Sequence, residues 1–236
     1  MFITIKKKFL ILVVVIIALV GCLGFLLCKV ATKKTTSSPY KLTVVLDAGH
    51  GGVDGGSTGV STGITESEIN LTYTNKIEKY LKSCGINVVQ TRTTLNGLYD
   101  YYDKDFKIRD MEKRKEIIKK ANPELVISLH MNKFADSSQN GAQVFFGENN
   151  ENSQNLANSI RDELVKNFDN ARQLTLFGDY YITECTNKPT VIVECGFLSN
   201  EQEELNLINE DYQNKMCYSI FCGIMRYLLT NFNYTY

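Results

Sequence analysis

The stretch Val44-Val45-Leu46-Asp47-Ala48-Gly49-His50-Gly51-Gly52 constrains this chain more than any other. An apolar run closed by glycines is the pattern of a buried strand that ends at a tight turn. Glycines on both sides of His50 clear the space around its ring. A histidine fixed at the carboxyl end of a buried strand suits a metal ligand. A glycine-rich turn with an incidental histidine would show the same pattern, so the rest of the chain has to decide.

Downstream, strand and helix patterns alternate. Residues 42–47 form the first strand, and 51–63, with six glycines, must be a loop. A helix opens at Glu66, with Thr65 as N-cap, Glu68 as its capping-box partner and Gly85 as the stop. Residues 86–91 form the next strand, ending at Arg92, and 95–105 a tyrosine-rich loop. Residues 106–121 form a basic amphipathic helix that Pro123 ends. Strands follow at 125–129, running into His130, and at 142–146, separated by a polar loop. A helix over 152–168, short strands at 180–183 and 190–194, and helices over 201–208 and 212–229 complete the series. This alternation predicts an α/β fold: a single domain with a mostly parallel or mixed twisted sheet flanked by helices. Functional side chains should gather beyond the carboxyl ends of the strands.

The chain of 236 residues, 44% of them hydrophobic, can bury a sizeable core, but its apolar residues are unevenly spread. Residues 9–28 are twenty uncharged, strongly apolar positions behind Lys6, Lys7 and Lys8. That is about the length of one helical bilayer crossing, roughly 20 residues, and the basic cluster would stay cytoplasmic. Residues 1–29 are therefore expected to be a membrane anchor or signal segment, and the lack of a small-x-small cleavage site favours the anchor. Leu19-Val20-Gly21-Cys22 has the form of a lipoprotein cleavage site, yet 23–27 stay apolar where a polar tether is expected. Residues 30–40 form a polar linker, and 41–236 the domain. Six of the 26 basic residues precede residue 41, which leaves 20 against 26 acids, a net −6 that argues against nucleic acid as partner. The domain's cysteines, Cys84, Cys185, Cys195, Cys217 and Cys222, are odd in number and lack a C-x-x-C pair. Neither a disulfide framework nor a cysteine zinc site is indicated. A Cys185–Cys195 bridge stays open, and free thiols would suit a reducing or anaerobic setting.

The chain has two histidines, His50 and His130, and both follow a buried strand. Two imidazoles and a carboxylate, with a fourth position left to water, form a common catalytic zinc shell. Glu66 is the best carboxylate, because the glycine loop can fold it back toward His50; a helix-N-terminal acid would look the same. Glu194 ends the run Val191-Ile192-Val193, where an acid is costly to bury unless paired or useful. In a zinc hydrolase such a carboxylate is the proton carrier. Burial should raise its pKa, and a metal ion should lower it.

Four motifs occur in order: Leu46-Asp47-Ala48-Gly49-His50-Gly51-Gly52, Glu66-Ser67-Glu68-Ile69-Asn70-Leu71, Ser128-Leu129-His130-Met131-Asn132 and Val193-Glu194-Cys195-Gly196-Phe197-Leu198-Ser199-Asn200. Together, over residues 42–229, the chain resembles the zinc-dependent N-acetylmuramoyl-L-alanine amidases of the amidase-3 type, and among them the spore-cortex, germination-specific amidases of endospore-forming bacteria. The resemblance implies Zn²⁺ on His50, Glu66 and His130, with Glu194 as catalytic glutamate; Glu68 is the competing ligand. Ala48 stands where the family often has proline, and Ser67 where lysine is frequent. The resemblance further implies hydrolysis of the amide between N-acetylmuramic acid and L-alanine in peptidoglycan, for cortex maturation through muramic lactam. An exported protein, membrane-anchored or secreted, in the intermembrane space of the forespore is expected, with an accessory activating protein as partner. The alternatives are another zinc hydrolase of the wall and a non-catalytic wall-binding or scaffold domain. Asn132 is expected to orient a ligand or cap its loop. Arg114 is expected as a solvated helix charge rather than a support of the acidic site. Tyr99, Tyr101 and Tyr102 line a sugar groove or pack their loop.

Overall fold

A computed structural model describes residues 14–20, 42–100, 104–147 and 151–232. Six strands form one mixed sheet: β1 (Thr43–Ala48), β2 (Asn87–Gln90), β3 (Leu125–Asn132), β4 (Gln143–Phe146), β5 (Leu176–Phe177) and β6 (Thr190–Phe197). Their order across the sheet is β2-β1-β3-β6-β4-β5. The first four strands in that order run parallel, β4 is antiparallel to β6, and β5 is parallel to β4.

Continuous apolar runs such as Val44-Val45-Leu46 arise because helices cover both faces of the sheet. On one face Val44, Leu46, Ile127, Leu129, Val191 and Val193 form the larger core. They pack against α1 (Glu66–Ser83), α3 (Glu151–Asn167) and α6 (Glu210–Asn231), through Ile69, Ile77, Ile160 and Ile224 among others. On the other face Val45, Val126 and Ile192 meet Ile118 of α2 (Phe106–Ala121) and Ile182 of α4 (Tyr181–Glu184). The helix α5 (Glu201–Ile208) follows β6. Each fully buried aliphatic side chain contributes about 1.5–3 kcal/mol. The second face is covered by one long helix and a single short one, and a cleft opens between them.

Local signals act as expected at several boundaries. The Glu68 carboxylate accepts from the Thr65 N–H at 3.0 Å, which closes the capping box of α1. Gly85, at φ +79°, follows the C-cap Cys84. One expected strand is wrong. Residues 181–184 are helical, and the short edge strand lies earlier, at Leu176–Phe177. The composition Tyr-Tyr-Ile-Thr favours a strand, but β5 already takes the edge beside β4, and burial of Ile182 against Ile118 and Ile192 selects a helical turn. Among the described residues no cysteine forms a disulfide, so Cys185 and Cys195 are not bridged.

Residues 14–20 are helical. The rest of the apolar run 9–28 and the whole of the linker 30–40 lie outside the described residues, as do Tyr101 and Tyr102. Among the described residues, no helix is long and apolar enough to cross a membrane.

Candidate metal centre

The site begins where β1 ends. His50 adopts φ +61°, a left-handed conformation rare outside glycine, and Gly51 and Gly52 continue the turn at φ +141° and +63°. Such a residue costs about 1–2 kcal/mol in backbone strain and must be held by its surroundings. Two buried arginines hold it. Arg92 donates to the carbonyls of Ala48 and Gly49, both at 2.9 Å. Arg114 donates to the carbonyls of Ala48 and His50, both at 2.7 Å. Charge-assisted bonds of this kind are among the stronger hydrogen bonds in proteins.

Arg114 is therefore not a solvated helix charge. It is 1% exposed and also binds Asp47, at 2.6 Å, and Asp110. Asp47 in turn accepts from Thr91 and Ser128, both at 2.6 Å. Burial pushes the Asp47 carboxyl up, but Arg114 and the two hydroxyls outweigh it and hold the pKa at about 2.

Glu66 reaches the turn because the glycine loop folds back. Thr58 bridges to Thr65, the Glu66 N–H donates to Ser57 O at 2.8 Å, and the Ser67 N–H donates to Gly55 O at 3.1 Å. Glu66 Oε1 then lies 3.2 Å from His50 Nε2 and 2.9 Å from His130 Nδ1. Ligand atoms of His50, Glu66 and His130 all fall within 4.8 Å of one another. The two rings stand nearly perpendicular, with centroids 5.1 Å apart. Gly49 makes room for this. A Cβ there would meet the His130 ring at 2.2 Å. Glu68, the competing ligand, stays at the capping box.

Asp54 binds the other His50 nitrogen, Nδ1, at 2.9 Å and so leaves Nε2 toward Glu66. This carboxylate–histidine pairing is the usual support of a metal-ligating imidazole. Burial would lower the His50 pKa, but Asp54 and Glu66 together lift it to about 9. Burial would raise the Glu66 carboxyl, and the two histidines hold it well below the usual carboxylate range. The cluster thus calls for positive charge at its centre, and a divalent cation can supply it in place of imidazole protons.

Glu194 is paired in register with His130 across β3 and β6. Its Oε2 is sealed from solvent and has no hydrogen-bond partner. Burial lifts its pKa to about 7, helped by the charge of Glu66 and opposed by both histidines. An orphaned carboxylate oxygen beside three convergent donors fits a hydrated metal ion, which would give that oxygen a partner. A cleft of about 280 Å³ leads away from His50, His130 and Glu194 between Phe106 and Met111 of α2 and the segment Tyr180–Ile182.

The strands run past the positions expected from sequence. His130 and Glu194 lie within β3 and β6, which end at Asn132 and Phe197, and the register shifts between His130 and Asn132. Asn132 sits at its loop, accepting from the Lys133 N–H at 2.8 Å and facing Gln143. Tyr99 packs on Phe106, and its hydroxyl takes the Val53 N–H and donates to Gly51 O, so it braces the glycine loop. Sequence reasoning missed Asp54 and Arg92. The only hint of Asp54 is an acid four residues from His50 in a loop without periodicity, and Arg92 was noted only as a strand end.

Residues 44–226 match the family model described as N-acetylmuramoyl-L-alanine amidase. The germination-specific N-acetylmuramoyl-L-alanine amidase of Bacillus subtilis is 33% identical over 188 residues, 78% of each chain. Among solved structures, the CwlD amidase of Clostridioides difficile, in complex with the GerS lipoprotein, superposes with a TM-score of 0.77. It is 35% identical, over 80% of this chain and 100% of that one. The catalytic domain of CwlV, from Bacillus (Paenibacillus) polymyxa var. colistinus, gives 0.71 at 29% identity, over 79% and 98%.

Proposed function

The chain belongs to the N-acetylmuramoyl-L-alanine amidase family and is a hydrolase of the cell wall, and from that premise we propose that it works with zinc held by His50, Glu66 and His130 and with Glu194 as its proton carrier. The observation that carries this reading is the convergence of three ligand atoms within 4.8 Å beside a carboxylate oxygen that has no partner. When bound, zinc supplies Lewis acidity toward the amide carbonyl and the attacking water.

The protein's own groups do the rest. Asp54 fixes the His50 ring so that Nε2 is turned toward Glu66, where it would help to hold the ion. Arg92 and Arg114 keep the strained turn in place. Glu194 takes the proton of the water that attacks the lactyl carbonyl of N-acetylmuramic acid. The same carboxyl returns it to the departing L-alanine amine. A pKa near 7 before ion binding suits both directions of transfer, and the ion's charge draws it lower.

The germination-specific relative favours a role in cortex maturation. Removing the peptide would prepare muramic acid for conversion to the lactam. In this reading the protein is exported into the intermembrane space of the forespore, and residues 1–29 attach it to the membrane. The lipoprotein bound to the Clostridioides difficile amidase supports an accessory partner of the same kind.

The test is mass spectrometry of wall fragments after incubation with zinc-loaded protein. Free stem peptides with an L-alanine amine and intact glycan are expected. Chelation should stop the reaction and zinc restore it, and E194A should lose turnover with zinc still bound. Near-normal turnover by E194A, or a full zinc complement in H130A, would reject the assignment.

A further inference from the structure

Helix α1 brings a second polar side chain to the ligands. Asn70 follows Glu66 by four residues, a spacing that puts both on one face of the helix. It is 0% exposed. Asparagine is a poor residue for a helix interior, because its amide competes for backbone groups. Its Oδ1 is also sealed from solvent without a hydrogen-bond partner. A buried acceptor left unsatisfied is a net cost to the fold. Leucine has the same branched outline and would carry neither cost. What the asparagine supplies in exchange is its NH2 group.

That one nitrogen serves two acceptors. Nδ2 lies 3.1 Å from the Gly49 carbonyl and 3.4 Å from Glu66 Oε1. The carbonyl belongs to the turn that presents His50, and Oε1 is the oxygen that approaches both histidines. The amide thus ties the end of β1 to the carboxylate on α1. Two other donors hold Glu66, and both are backbone groups. The Met131 N–H donates to Oε1 at 3.2 Å, and the Ser57 N–H donates to Oε2 at 2.8 Å. Asn70 is the member of this trio that a substitution can remove. The Gly49 carbonyl would keep the Arg92 guanidinium, at 2.9 Å, so the loss falls on the orientation of the carboxylate rather than on the turn.

We propose that Asn70 is a positioning residue of the metal centre, whose amide sets the Glu66 carboxylate against the His50 turn so that Oε1 meets both histidines. The inference rests on the zinc assignment above and adds a residue that acts through a ligand. Groups that orient a metal ligand in this way are worth about 10–100-fold in affinity.

The test compares wild type, N70L, N70S, T74V and H130A by zinc competition with a chelating dye and by the visible spectrum of the cobalt(II)-substituted protein. Thr74 is the control for packing. It is equally buried, and its hydroxyl donates to the Asn70 carbonyl at 2.7 Å, one turn further from the ligands. N70L should bind zinc about 10–100-fold more weakly than wild type, with a changed cobalt spectrum. N70S, whose hydroxyl is too short to span both acceptors, should move the same way, and it carries the comparison if N70L does not fold. T74V should keep wild-type affinity and spectrum, whatever it loses in urea midpoint. Wild-type affinity and spectrum in the folded Asn70 variants would overturn the proposal. So would an equal loss of affinity in T74V, which would make Asn70 a general support of the helix. Zinc held no more tightly by wild type than by H130A would overturn the zinc assignment itself, and this inference with it.

Discussion

Replacing Arg114 with methionine tests how the His50 turn is held. The guanidinium binds Asp47, Asp110 and the carbonyls of Ala48 and His50. Methionine keeps much of the apolar stem but removes the charge that Asp47 and Asp110 share and one donor from each of the Ala48 and His50 carbonyls; Asp47 keeps Thr91 and Ser128, and Ala48 keeps Arg92. Removing one side of a buried ion pair costs about 3–5 kcal/mol. The Asp47 carboxyl gives an independent gauge. Burial would raise its pKa, yet Arg114, Ser128 and Thr91 bring it from 3.8 down to about 2, worth roughly 2 kcal/mol at neutral pH. Because the folded value lies below the unfolded one, this stability is present above pH 3.8 and is lost as pH falls toward about 2. Without the arginine, buried Asp47 is costly to ionise, and mild acid relieves it by protonation. Urea unfolding should therefore give R114M a deficit of about 3–5 kcal/mol at pH 7 and a smaller one at pH 4. Zinc affinity should fall as well, because the His50 backbone is released. A deficit under about 1 kcal/mol, the range of a surface ion pair, or one equal at both pH values, would refute this account of the turn.

Two further outcomes follow from the same site. The Glu194 pKa is raised from 4.5 to about 7, so its charged form destabilises the metal-free fold, by roughly 3 kcal/mol above pH 7. Metal-free E194Q should be more stable than metal-free wild type at pH 8, and the gain should shrink as pH falls through the folded value of about 7 and vanish below the unfolded value of 4.5, where the carboxyl is protonated in both states; thermal melts showing no gain at pH 8 would count against a buried, unpaired carboxylate. G49A places a Cβ 2.2 Å from the His130 ring, so the ring must turn away from Glu66. Competition with a chelating dye should show zinc affinity at least tenfold weaker, and unchanged affinity would mean that the close packing at Gly49 does not position the ligand.

Much of this molecule was legible along the chain. The bounds of α2, Phe106–Ala121, and of α5, Glu201–Ile208, coincide with the expected ranges, because Pro123 and the capping and apolar patterns are local. The apolar runs of β1, β3 and β6 announced a doubly covered sheet. His50, Glu66, His130 and Glu194 stand out as candidates in the motifs, and the structure brings ligand atoms of the first three within 4.8 Å of one another. Arg114 could not be placed. It lies in a helix dense with charge, from Lys107 to Glu116, and nothing local separates a buried arginine from its solvated neighbours. Its burial depends on Asp47, 67 residues away. Arg92 was equally hidden, since its acceptors are backbone carbonyls of another strand's end. Residues 180–183 misled for the opposite reason: strand propensity was clear, but packing of Ile182 overrode it.

The sequence by itself determined which residues could bear the chemistry, because residue type and strand or helix period are properties of short stretches. Tertiary structure alone decided that Asp54 sets which His50 nitrogen faces Glu66 and that two buried arginines restrain the turn. Those choices depend on distances between segments far apart in the chain, and such distances exist only once the sheet has set its register and the glycine loop has folded back across its edge.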